Sequence, residues 1–127
     1  MKSFVVSLAT LASISGFASA AHAGQVKCVG DYLFYHFEVS ARTSGTRITG
    51  KMNLLVTQGS KVVRQGAVPV SSSDIQLGRS LQFEGADATG GGRVNATFDA
   101  SQGAYFGTLA VSSPEGGANV SVTCGAN

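Results

Sequence analysis

The sequence predicts an all-β domain, a small antiparallel meander of about eight strands closed or nearly closed into a barrel, with a two-sheet sandwich as the alternative. Three observations carry that prediction. Apolar residues recur with period two along most of the chain, and no segment shows a 3.6-residue period. Short runs rich in Gly, Ser and Thr separate the alternating segments, and links that short favour antiparallel neighbours. Cys28 and Cys124 stand near the two ends of the domain, so a bond between them would join its first and last strands.

The amino-terminus reads as a secretory leader over residues 1–23. Lys2 gives a positive start, Phe4–Ala12 is an apolar stretch, and Ala21-His22-Ala23 is a small-x-small cleavage signal. Ala18-Ser19-Ala20 offers a second cut. The apolar stretch is interrupted by Ser and Thr and falls short of the roughly 20 residues of a membrane span. Residues 24–127 then form a single domain. In an exported chain an even pair of cysteines reads as a disulfide, here Cys28–Cys124. Export points to a periplasmic or secreted location.

Taken in order, Tyr32–Arg42 reads as one long strand with Leu33, Tyr35, Phe37, Val39 and Ala41 on the core face. Tyr32, Phe34, His36, Glu38 and Ser40 take its other face. After the turn signal Thr43-Ser44-Gly45-Thr46, the strand Ile48–Thr57 places Met52, Leu54 and Val56 inward. Gln58-Gly59-Ser60-Lys61 turns the chain into Val62–Val70, where Pro69, lacking an N–H, requires an edge or a bulge. Ser71–Asp74 reads as a polar link, followed by short alternations at Ile75/Leu77 and Leu81/Phe83. Gly85–Gly92 reads as the longest loop. Three regular strands follow, with inward sets Val94/Ala96/Phe98/Ala100, Tyr105/Gly107/Leu109/Val111 and Ala118/Val120/Val122/Cys124. Tyr35, Phe37, Met52, Leu54, Phe83, Phe98 and Leu109 suffice to fill a barrel of this size.

Several function classes are disfavoured. The formal net charge of +2 drops by one when Lys2 leaves, and the remaining Lys and Arg are scattered, so no nucleic-acid footprint is present. The outward faces carry Lys51, Asn53, Thr97 and Asp99, which does not suit a lipid-facing barrel wall. Two cysteines and one histidine beyond the leader do not make a metal site, and no cofactor is expected. His36, Glu38 and Ser40 are spaced two apart on one strand, about 6.6–7 Å apart along the axis, too far for routine hydrogen bonding in a catalytic relay. An enzyme is not expected. Asn95-Ala96-Thr97 and Asn119-Val120-Ser121 match the N-glycosylation acceptor pattern, which carries no function in a bacterial host.

The distinctive surface is the group Tyr32, Phe34 and His36. Either the two rings pack under a loop, or they form an aromatic contact patch for a partner. A further feature is Ser101-Gln102-Gly103-Ala104-Tyr105. Together with the leader, the barrel layout and the early and late cysteines, this segment is similar to the Ser-Gly-x-x-Tyr loop of periplasmic inhibitors of C-type lysozyme. The Ser-to-Tyr spacing is kept, with the glycine one place later. The resemblance implies a loop around Ser101, Gly103 and Tyr105 that enters a lysozyme cleft. The leading expectation is a non-catalytic exported β-barrel that binds another protein or macromolecule. A small apolar-ligand carrier is the alternative, and the inhibitor reading is a special case of the first.

Overall fold

A computed structural model describes residues 23–127, so the expected leader lies, but for Ala23, outside the described residues. The chain forms eight strands, β1 (Ala23–Tyr32), β2 (Tyr35–Ser44), β3 (Arg47–Gln58), β4 (Lys61–Gln76), β5 (Ser80–Asp87), β6 (Gly90–Asp99), β7 (Ala104–Ser113) and β8 (Gly116–Ala126). Each pairs antiparallel with its sequence neighbour, and β1 pairs with β8, giving a closed up-and-down barrel. Closure leaves no full-length edge strand to template aggregation. The barrel, not the sandwich, is therefore the architecture.

The seam between β1 and β8 is the weakest join. It holds four ladder pairs, Val26↔Ala126 to Val29↔Thr123, whereas the other neighbours share six to ten. Cys28 and Cys124 are directly opposite one another in that short ladder and are disulfide-bonded. Small domains carry such bonds in oxidising compartments.

Alternation fills the interior. Val26, Cys28, Val39, Met52, Ile75, Leu81, Phe83, Val94, Leu109, Val120 and Cys124 are all fully buried. Tyr105 is buried as well. Its ring packs against Phe98 with centroids 4.9 Å apart, and its hydroxyl accepts a 2.6 Å hydrogen bond from the Gly78 N–H. That contact ties the start of β7 to the β4–β5 turn and closes one end of the barrel.

Several expectations change. Tyr32–Arg42 is not one strand: the chain reverses at Leu33-Phe34, so Tyr32 ends β1 and Tyr35 begins β2. The period-two pattern is real from Tyr35 onward, but no Gly, Asn or Pro marks the reversal. Leu33, expected inward, is exposed. Ser71–Asp74 is not a link but part of the 16-residue β4. The register between β4 and β5 shifts between Val70 and Ser72, so a bulge follows Pro69 as expected. Gly85–Gly92 is not a loop either. Ladder pairing runs to Asp87↔Gly90, leaving Ala88-Thr89 as a two-residue turn. Asp87 Oδ1 braces it by accepting from the Thr89 N–H at 2.8 Å and the Thr89 hydroxyl at 2.6 Å. Phe98 is only partly buried and packs on the core from its rim, while Ala100 lies exposed in the next turn.

The glycine run has a packing reason. Arg64 pairs with the inward-facing Val56, so its side chain enters the barrel mouth. There it donates to the Ser112 carbonyl at 3.2 Å and the Thr89 carbonyl at 3.1 Å. A Cβ at Gly90, whose φ is 132°, would overlap the Ser112 carbonyl and the Arg64 guanidinium. Glycine there leaves room for the arginine to cross.

Candidate functional site

Up-and-down order sorts the turns into two groups. The tips at 33–34, 59–60, 88–89 and 114–115 lie at one end of the barrel. The turns at 45–46, 77–79 and 100–103 lie at the other, with both described termini. The apolar exposure is uneven. The first end carries Tyr32, Leu33 and Phe34 on the β1–β2 tip and Val62 and Val63 beside the β3–β4 tip.

The β1–β2 tip is the sharpest feature. Leu33 is 75% exposed, Phe34 80% and Tyr32 44%. Leu33 also has φ 56°, and among the described residues it alone is a non-glycine with positive φ. The first central position of a two-residue hairpin turn with φ > 0 is normally glycine. A branched apolar residue there carries a backbone penalty of about 1–2 kcal/mol, and it places a large side chain in water. Neither feature serves the fold. Backbone strain of this kind collects at contact and functional sites.

Immediately below the tip, Asp31 and His36 are a cross-strand pair. His36 Nδ1 lies 2.8 Å from Asp31 Oδ1, and Nε2 lies 3.6 Å from Glu38 Oε2. Glu38 Oε1 is in turn 3.8 Å from Lys27 Nζ. On the far side His36 pairs with Thr57, which pairs with Val62, so the row His36–Thr57–Val62 links the two hairpins on the outer wall.

The structure thus brings Tyr32 and Phe34 together with His36, but as a hairpin tip and its base and not as one strand face. The rings do not pack under a loop. Sequence reading missed Leu33, which it placed in the core, and missed Val62 and Val63. The Val-Val doublet broke the strand's alternation and was the available signal for the second pair. The reversal at Leu33 left none.

No family model, characterised protein or solved structure matches this chain. The resemblance to lysozyme inhibitors therefore rests on layout and on Ser101–Tyr105 alone. Those residues lie at the end of the barrel away from the aromatic tip. Ser101 donates from its N–H and its hydroxyl to Asp99 Oδ1, at 2.9 and 2.6 Å, and these bonds hold the Asp99 carboxyl below its ordinary value. Their stabilisation of the turn is present above the usual carboxylate range and is lost as the pH falls through the lowered value. Gly103, at φ 67°, completes the turn and is exposed. Tyr105, buried and bonded to Gly78, is a packing residue with its hydroxyl already engaged.

A shallow opening of about 340 Å³ at the aromatic end is lined by Phe37, Val111, Ser113, Glu115 and Ala118. A shallow groove of about 660 Å³ lies on the outer wall beside Gln25, Val29, Thr123 and Gly125, not inside the barrel. The mouth at the aromatic end is crossed by Arg64.

Proposed function

We propose that this protein is a non-catalytic binding module, exported to the periplasm or beyond, whose β1–β2 hairpin tip contacts another protein. One observation carries the reading: Tyr32, Leu33 and Phe34 project together from the barrel end, with Leu33 in a backbone conformation that only glycine adopts freely. The arrangement suits insertion into a concave apolar site on a partner, where buried aromatic anchors dominate binding energy. Val62 and Val63, one hairpin away, extend the contact surface. The filled interior favours this reading over a small-ligand carrier.

The test replaces Tyr32 and Phe34 with Ser in the exported protein. Each ring removed from an interface core costs about 2 kcal/mol, roughly a thirtyfold loss of affinity. The unfolding midpoint should hardly move, because exposed substitutions stay within about 0.5 kcal/mol. Wild type should retain, on an affinity column loaded with its own periplasmic extract, a protein that the double variant releases. Identical retention by both, or a midpoint that drops sharply in the variant, would count against the tip as the contact element.

A further inference from the structure

We infer that Asp31, His36 and Glu38 form a protonation-dependent clamp on the hairpin, so that the Tyr32-Leu33-Phe34 tip is more ordered below neutral pH than above it. The inference rests on the contact role given to the tip, since it adds a control on that surface. Its test does not need the partner.

The geometry is specific. Each imidazole nitrogen faces a carboxylate, Nδ1 towards Asp31 at 2.8 Å and Nε2 towards Glu38 at 3.6 Å. A neutral imidazole has one N–H donor and one lone pair. It can donate to one carboxylate only, and its bare nitrogen then faces the other. The imidazolium keeps its Nδ1 N–H on Asp31 and adds charge attraction to both contacts, the one to Glu38 at 3.6 Å being an ion pair and not a hydrogen bond. Asp31 is on β1 and His36 on β2, and their pairing lies one step below Tyr32↔Tyr35, the pair that closes the turn. Strengthening Asp31–His36 therefore holds the two strands together directly below the turn in which Leu33 takes a positive φ.

The surroundings set the sign. From β1 the charged neighbours are Asp31 and Lys27, the latter engaged with Glu38 at 3.8 Å. From β2 the neighbour is Glu38. From β3 the residue opposite His36 is Thr57, and beyond it on β4 is Val62, neither charged. Carboxylates thus provide the direct contacts to the ring. All these groups are partly exposed, so the effect is modest and is screened by salt.

The experiment is amide-exchange NMR on the folded, disulfide-bonded protein, reading protection factors at Tyr32 and Tyr35, the pair that closes the turn, at about pH 5.5 and about pH 8, on either side of the histidine range. Protection at the tip should be about two- to fivefold greater at the lower pH. His36→Gln should flatten that difference, Asp31→Asn should reduce it, and high salt should shrink it in the wild type. Core amides such as Leu109, far from the clamp, should show no such change. Equal tip protection at the two pH values, or the same pH dependence in His36→Gln, would overturn the clamp. If the clamp responds as described while the Tyr32/Phe34 variant keeps its partner, the clamp stands and the contact role fails. The two ideas therefore fail separately.

Discussion

Replacing Cys28 and Cys124 together with Ser is expected to destabilise the barrel by about 4 kcal/mol. The bond spans a sequence separation of 96 and so constrains nearly the whole domain in the unfolded state. A closed loop of that length corresponds to roughly 4.7 kcal/mol in the chain-entropy account, with removal of native disulfides measured at about 2–5 kcal/mol. The position of the bond adds a structural reason. It lies within the four-pair β1–β8 ladder, where hydrogen bonding alone gives the least support to closure. Both cysteines are buried, so the substitution also trades two packed sulfurs for hydroxyls in an apolar interior. Urea melts of the oxidised wild type and the double variant measure the difference. A loss below about 1 kcal/mol would mean that the ladder closes the barrel unaided.

Phe83→Ala is expected to cost about 3–5 kcal/mol. Phe83 is 2% exposed and is the largest of the fully buried side chains, placed on β5 opposite Val94 and Ser73. Removing the ring leaves a cavity that surrounding β-branched residues, stiff about χ1, fill poorly. Gln82→Ala, one residue away on the outer wall, should stay within about 0.5 kcal/mol. The contrast is larger than Phe98 would provide, because that ring sits partly exposed at the barrel rim. Similar midpoints for the two variants in denaturant melts would contradict the inward assignment of β5.

The barrel was legible in the sequence wherever one face was buried and the other wet. Alternation alone placed Met52, Leu54 and Val56, then Val94 and Ala96, then Val120 and Val122, on the inner wall. The cysteine positions gave the closure. Reading failed where tertiary packing overrode local chemistry. Glycines 90–92 look like a flexible loop, yet they are strand residues, and a Cβ would overlap the Arg64 guanidinium at Gly90 and the neighbouring β5 backbone at Gly91. Ser71–Asp74 looks polar enough for a link because its outward residues face water while Ile75 alone marks the core. The contact tip was half legible. Tyr32 and Phe34 stood out as surplus aromatics, but Leu33 fitted the alternation so well that it passed for a core residue. A turn built on leucine breaks the turn-residue rules, and such breaks are expected where function competes with folding.

The unfolding free energy of Leu33→Gly tests the central claim most directly, namely that the tip is kept for contact and not for the fold. Glycine adopts φ near 56° without the Cβ penalty and removes an exposed apolar side chain. Relief of about 1–2 kcal/mol of backbone strain is partly offset by the greater freedom of glycine in the unfolded chain, about 0.4–1 kcal/mol. The variant should therefore be as stable as the wild type, or more stable by up to about 1.6 kcal/mol. A loss of more than about 1 kcal/mol in urea unfolding would show that Leu33 supports the fold, and the tip would then be a structural element.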